Sequence, residues 1–178
     1  MNKEYELVVK PLIKWFKNQK SNWQLEFPKY HTAATGWDLQ ARRKNQDLLI
    51  EAKYIKGRFV SYFAGMVCAP MSNKRQSFMK RKAHGWNEGV CWAIGTSFKS
   101  RDIMQILLDY FSRNLVFWEF YGKYFKMKYV FFVNDLEVKK VDWNKLIFIA
   151  GKYLEAQNKN KLSLLERRTL AAKLCSIK

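Results

Sequence analysis

The sequence predicts an α/β domain in which helices flank a mixed central β-sheet and extra helices follow at the C-terminal end. Apolar runs of strand length alternate with longer segments whose apolar residues recur at helical spacing. At 178 residues the chain is long enough for one domain with a proper core and too short for two. The predicted order is helix, three strands, helix, strand, helix, strand and then helices, which is typical of a mixed sheet.

The N-terminal part of the chain predicts one helix and three strands. Residues 1–18 carry apolar side chains at helical spacing, and Pro11 should kink this helix or restart it. Residues 23–27 and 37–41 alternate apolar and polar side chains, as short strands do. A polar turn then predicts a hairpin into a buried strand at 47–54.

The middle of the chain predicts helices around one strand. Residues 59–67 and 74–82 indicate two helical pieces, and residues 90–96 indicate a strand bounded by glycines. Residues 101–118 predict a single helix. One stripe of that helix should hold Ile103, Ile106, Leu107, Tyr110, Phe111 and Asn114.

The C-terminal part predicts one strand followed by two helices. Residues 129–133 indicate the last strand, and residues 142–157 and 163–176 indicate helices. The second helix opens with Ser163 and, three residues later, Glu166, which is the pattern of a capping box.

Charge and composition indicate the class of partner. Lysine and arginine number 33 against 15 acidic residues, a formal charge of +18, and nucleic acid is the commonest partner of so basic a compact domain. The three cysteines are widely spaced, which argues against disulfides and for a reducing compartment. We see no signal-peptide core and no apolar run long enough for a membrane span, so we expect a cytoplasmic protein without membrane contacts.

Four residues of the predicted hairpin form a candidate catalytic group. Asp38 lies on its first strand, and Glu51-Ala52-Lys53 ends its second. Glu51 and Lys53 point to one face because strand side chains alternate, and a hairpin brings Asp38 beside them. Asp38, Glu51 and the Ala52 carbonyl could hold Mg²⁺, while Lys53 could orient a water molecule and stabilise charge on a phosphate. The ordinary interpretation is a solvated strand face with a cross-strand ion pair, but the apolar strand and the basic chain favour catalysis.

These residues resemble the active-site hairpin of the PD-(D/E)xK nuclease superfamily. The similar segments run from Gly36 to Arg42 and from Asp47 to Ile55, and twelve residues separate Asp38 from Glu51. The resemblance implies a restriction-endonuclease-like core at 1–133, with 134–178 as a helical extension packed on the same domain. It also implies a DNA endonuclease that uses Mg²⁺, with Mn²⁺ as a substitute, and acts on duplex or branched DNA.

The sequence departs from the family pattern in two ways. Trp37 replaces the proline before the Asp, and the polar residue often present on the helix after the Lys has no clear match, with Ser61, Tyr62 and Gln76 as candidates. Family members often carry a further Glu on the first helix. Glu6 is the better candidate, because it borders the buried stripe of Val8, Val9, Leu12 and Ile13, whereas Glu4 fits that stripe poorly. An acid in a first helical turn can equally serve the helix dipole.

Basic residues near the hairpin and beyond it are the candidate contacts to DNA phosphates. They are Arg42, Arg43, Lys44, Lys56, Arg58, Lys74, Arg75, Lys80, Arg81 and Lys82. A small single domain leaves little surface for reading a sequence, which favours structure-selective cleavage or a homodimer.

Two alternatives stay open. One is a catalytically inactive nucleic-acid-binding protein of the same fold, and the other is a basic RNA-associated protein, although no RNA-binding signature is present in the sequence. Phosphate-loop and dinucleotide motifs are also absent from the sequence, so no small-molecule cofactor is expected.

Overall fold

A computed structural model describes residues 3–26, 37–44, 46–55, 63, 66–68, 87–96, 100–134, 137–159 and 162–176. Its strands are β1 (Gln24–Glu26), β2 (Leu39–Arg43), β3 (Gln46–Ile55), β4 (Asn87–Thr96), β5 (Met127–Val133) and β6 (Val138–Asp142). Its helices are α1 (Lys10–Lys17), α2 (Ser100–Ser112), α3 (Leu115–Tyr124), α4 (Trp143–Lys159) and α5 (Leu164–Ser176), and a π-helical segment (Tyr5–Val9) leads into α1.

The six strands form one mixed sheet in the order β1-β2-β3-β4-β5-β6. The central pairs, β3 with β4 and β4 with β5, are parallel, and the outer pairs are antiparallel. The predicted α/β class and mixed sheet are therefore confirmed. Residues 48–50 of β3 and 90–94 of β4 are apolar because parallel strands are covered by helices on both faces.

Each face of the sheet has its own hydrophobic cluster. The π-helical segment and α1 cover one face, where Leu12 and Phe16 pack against Ile50 and Phe131. Helices α2 to α5 cover the other face, where Trp92 lies at the centre. Its ring stands edge-on to the ring of Trp143, with centroids 5.1 Å apart. We name these the α1 face and the α2–α5 face.

Pro11 marks the restart of the first helix, as the sequence suggests. The N–H of Lys10 donates to the carbonyl of Tyr5, an i→i+5 bond that closes a π-helical turn, and Pro11 then stands in the first turn of α1. Proline lacks an N–H and is tolerated in that position. The helix therefore changes its periodicity immediately before Pro11.

Two expectations about the second half of the chain are wrong. Residues 101–118 do not form one helix, because the chain breaks after Ser112 and Asn114 caps α3 by accepting a hydrogen bond from the N–H of Phe117. Asparagine competes for backbone bonds at helix starts, so Asn114 is a cap and not part of a stripe. Residues 129–133 belong to β5, which is not the last strand, because β6 follows it in the chain and pairs with it.

The C-terminal helices pack on α2 through a polar network around Asp109. The hydroxyl of Tyr153 donates to Asp109 Oδ1 at 2.7 Å, and the amide of Gln157 donates to the same oxygen at 3.2 Å. Arg167 of α5 lies 3.6 Å from that oxygen. Burial, followed by this bond to Asp109, raises the pKa of the Tyr153 hydroxyl, so the hydroxyl keeps its proton and donates.

The capping box at the start of α5 is confirmed. The side chain of Glu166 accepts from the N–H of Ser163 at 2.7 Å, and the N–H of Glu166 donates to the hydroxyl of Ser163 at 3.3 Å. Within the described part of the chain, no helix has both the length and the apolar character needed to cross a membrane.

Two helical glycines should respond in opposite ways to substitution by alanine. A Cβ on Gly122 would lie 2.1 Å from the indole nitrogen of buried Trp143, so Gly122→Ala should lower the free energy of unfolding by about 1–3 kcal/mol. A Cβ on Gly151 would meet only Leu115, at 3.8 Å, so Gly151→Ala should raise it by about 0.5–1 kcal/mol. Urea unfolding followed by circular dichroism measures both. Equal effects of the two variants would contradict this packing.

Candidate active site

The β2–β3 hairpin fixes Asp38 against the middle of β3. Leu39 pairs with Ile50, and Asp38 lies one residue before that pair. The N–H of Asp38 donates to the carbonyl of Ile50 at 3.1 Å. Its carboxylate Oδ2 accepts from the N–H of Ala52 at 2.7 Å. Asp38 is therefore bound to β3 through both its backbone and its side chain, which holds its carboxylate in one orientation.

Glu51 and Lys53 project on the α2–α5 face of the sheet. They alternate with Ile50 and Ala52, which belong to the cluster on the α1 face. The Glu51 side chain is buried, with 5% of its surface exposed. Lys53 lies nearer the strand end, where 31% of its side chain is exposed. The strand thus presents a buried carboxylate followed by an accessible ammonium.

Glu4 is the acid of the first helical segment that joins this group. Its Oε2 lies 3.4 Å from the ammonium of Lys53. Burial raises the pKa of the Glu4 carboxyl, the positive charge of Lys53 opposes this, and the negative charge of Asp38 adds to the rise. Glu4 therefore lies within electrostatic reach of both Asp38 and Lys53.

Glu6, which the sequence favours over Glu4, points elsewhere. Its carboxylate pairs with Lys10 one turn along the same helix, at 2.9 Å, on the exposed side. The preference for Glu6 assumes a regular α-helix through Pro11, but the π-helical segment widens the turn. That wider turn aligns Glu4 with Val8, Leu12 and Phe16, which are all buried.

The hairpin offers a donor set suited to Mg²⁺. Asp38 and Glu51 lie just beyond the Leu39–Ile50 pair, where β2 and β3 stop pairing. In proteins, Mg²⁺ is usually held by one or two carboxylates together with water and substrate phosphates. In an extended strand the N–H and carbonyl of one residue face the same neighbouring strand, so the Ala52 carbonyl faces the side of Asp38. Across the described residues, there is no group of three or more His, Cys, Asp or Glu side chains that could hold a metal ion. Asp38, Glu51 and the Ala52 carbonyl are oxygen groups of the kind that Mg²⁺ binds.

A buried polar network on the same face holds the hairpin together, and sequence reasoning missed it. The Gln40 amide donates to both carboxylate oxygens of Asp47, at 2.8 Å each. The guanidinium of Arg42 contacts Asp47 at 3.2 Å and Glu26 of β1 at 2.8 Å. Arg42, a candidate DNA contact, is thus held by two carboxylates. The sequence signal for this ion pair is the position of Arg42 opposite Asp47 in the predicted hairpin, because opposite charges on paired strand residues attract.

The other candidate DNA contacts fall into two groups. Arg43 lies over the ring of Trp23, 4.9 Å from its centroid, and Lys44 forms the hairpin turn with a φ of 48°. The remaining candidates lie outside the described residues. They are Lys56, Arg58, Lys74, Arg75, Lys80, Arg81 and Lys82.

Comparison of this chain with protein-family models, with curated proteins and with solved structures gave no match.

The two carboxylates that contact Arg42 should differ sharply in their contribution to stability. The side chain of Asp47 is 1% exposed and that of Glu26 is 59% exposed. Asp47→Ala leaves Arg42 and Gln40 without their buried partner, and should cost about 3–5 kcal/mol of unfolding free energy. Glu26→Ala removes a solvated pair and should cost less than about 1 kcal/mol. Chemical denaturation of both variants tests this, and a cost for Asp47→Ala no larger than for Glu26→Ala would refute the structural role of the network.

Proposed function

We propose that this protein is a metal-dependent endonuclease that hydrolyses DNA phosphodiester bonds, with a core of the PD-(D/E)xK type. One observation carries the proposal. The Ala52 N–H donates to Asp38 Oδ2 at 2.7 Å, which supports a site in which Asp38 lies beside the strand that carries Glu51 and Lys53. The family pattern requires such a placement of two acids and a lysine on neighbouring strands.

Asp38 and Glu51 would hold Mg²⁺ together with the Ala52 carbonyl, and Mn²⁺ should substitute because it accepts the same oxygen ligands. When bound, the ion supplies charge neutralisation at the phosphate and a lower pKa for a bound water molecule. The contribution of the chain is orientation, because the hydrogen bond from Ala52 fixes the Asp38 carboxylate before substrate arrives. Such preorganisation avoids rearrangement during the reaction.

Lys53 would act on the attacking water and on the phosphate. Its ammonium carries three donors, so it can orient a water molecule and stabilise the negative charge that builds on the phosphate oxygens. Its ion pair with Glu4 at 3.4 Å holds this flexible side chain at the strand end. Glu4 is therefore a positioning residue in this proposal, in the role that the sequence pattern predicts for Glu6.

The substrate in this proposal is DNA, either duplex or branched. The formal charge of +18 supports a polyanionic partner. The protein would act in the reducing cytoplasm, where its cysteines stay unpaired, and a homodimer would allow paired cuts in two strands.

Removal of the charge of either Lys53 or Asp38 should abolish DNA cleavage and leave DNA binding intact. Lys53→Ala and Asp38→Ala should each reduce cutting of supercoiled plasmid and of a four-way junction by at least about 10²-fold, because each removes a group that acts on the reacting phosphate. Cleavage is measured with Mg²⁺, with Mn²⁺ and with EDTA, beside DNA affinity in EDTA. Retained cutting in either variant would contradict the site. Tight binding by a wild-type protein that cuts neither substrate would identify the inactive binding protein instead.

Glu4 and Glu6 form a matched pair on one helical segment. Glu4→Gln releases Lys53, so it should lower kcat about 10–100-fold while DNA affinity stays unchanged. Glu6→Gln removes only the exposed pair with Lys10 and should leave kcat unchanged. Single-turnover cleavage across a pH series checks both variants. A fall in kcat with Glu6→Gln and none with Glu4→Gln would return the role to Glu6.

A further inference from the structure

An open groove with a strongly basic lining lies at the end of the sheet where the hairpin turns. Its volume is about 900 Å³. Four cationic side chains line it, and none of the described lining residues is acidic. We call it the basic groove, and its cations are Lys20, Arg43, Lys44 and Lys128.

Two of these cations are held in place by specific packing. Arg43 lies over the ring of Trp23 at 4.9 Å, a cation–π contact that orients the guanidinium. The aliphatic stem of Lys128 occupies the space above Gly89, where a Cβ would come within 2.0 Å of Lys128 Cγ. The base of the exposed Lys128 side chain therefore packs over Gly89, and a larger residue at position 89 would displace it.

Lys44 occupies a backbone conformation that lysine disfavours. Its φ of 48° lies in the left-handed region, and the two-residue turn between Arg43 and Gln46 favours asparagine or glycine there. A lysine in this place costs stability and adds a positive charge to the groove. This is the combination expected where charge serves binding and not folding.

The basic groove is separate from the candidate active site. Arg43 alternates in phase with Leu39 and Ala41, which pack on the α1 face, whereas Glu51 and Lys53 lie on the other face. Along β3, Gln46 at the groove and Ala52 at the candidate active site are six positions apart, a distance of roughly 20 Å. A phosphate in the groove therefore cannot be the phosphate that is cleaved.

We propose that the basic groove is a second, non-catalytic binding site for the phosphodiester backbone of nucleic acid. Four cations in one concavity repel one another, and a polyanion relieves that repulsion along its whole length. Ser21, Asn22 and Gln46 also line the groove and are neutral groups of the kind that contact phosphate oxygens. A lipid bilayer fits less well, because a flat surface cannot follow a concavity. The proposal concerns binding only and does not depend on cleavage at Asp38.

The test measures DNA binding by fluorescence anisotropy in EDTA, where no metal-dependent cleavage occurs. The full chain is titrated into a fluorescein-labelled 20-bp duplex and its single strand over a salt series. The double variant Lys20→Ser/Lys128→Ser should weaken binding roughly tenfold or more and flatten the log–log salt slope by about 1.8, because each phosphate contact contributes about 0.9. The matched control Lys123→Ser/Lys159→Ser removes the same charge from exposed lysines of α3 and α4, and should change both quantities little.

A second variant separates binding from folding. Lys44→Asn removes a charge but suits the left-handed turn, so it should raise Tm while lowering DNA affinity. Weaker binding by a more stable protein cannot arise from unfolding.

Three results would overturn the proposal. They are unchanged DNA affinity in the groove variants, an equal loss in the control variant, and groove variants that lose binding only to phosphatidylserine vesicles, which would make the groove a membrane contact. Cleavage retained by Asp38→Ala would contradict the proposed active site. The anisotropy results would still show, independently of cleavage, whether the basic groove binds DNA.

Discussion

The register of β3 is the constraint on which the rest of this structure depends. Its ten residues pair with β4 on one side, and its N-terminal half pairs with β2 on the other. Its side chains alternate between two hydrophobic clusters on opposite faces of the sheet. A slip of one residue would send Glu51 into the α1 cluster and Ile50 into the polar side of the hairpin. Because that exchange buries charge on a fully apolar face, only one register is favourable.

Polar side chains contact β3 at two points along its length, and different interactions stabilise each group. Near the turn, Asp47 is buried and is held by Gln40 and Arg42, so its charge is compensated within the protein. Farther along, Asp38 accepts from the Ala52 N–H, and Lys53 pairs with Glu4 across the strand end. The first group fastens the hairpin, and the second is partly exposed, with 31% of the Lys53 side chain and 25% of the Glu4 side chain accessible.

Helices on both faces complete this arrangement, because a sheet with parallel central strands must be covered twice. The first helical segment brings Glu4 to the end of β3, and its π-helical turn sets which acid arrives there. On the other face, α4 and α5 join α2 through Asp109, which binds Tyr153 and Arg167. Since β6 pairs with β5, the chain beyond Val133 completes the sheet before it forms these helices. The C-terminal segment is thus part of the same packed core.

The sequence by itself determined the α/β class, most strands and the hairpin that joins Asp38 to Glu51, since alternation and apolar runs are local signals. It also determined the Ser163–Glu166 cap, because both partners lie within one helical turn. The tertiary structure decided which distant residues contact one another and where some helices end, because the local periodicity of a sequence does not specify either. Glu4 reaches Lys53 because a π-helical turn shifts the phase of the helix, and Asn114 ends a helix that its apolar pattern would continue. The basic groove joins Lys20, Lys44 and Lys128 from three distant segments, and only the pairing and packing of the strands bring such residues together.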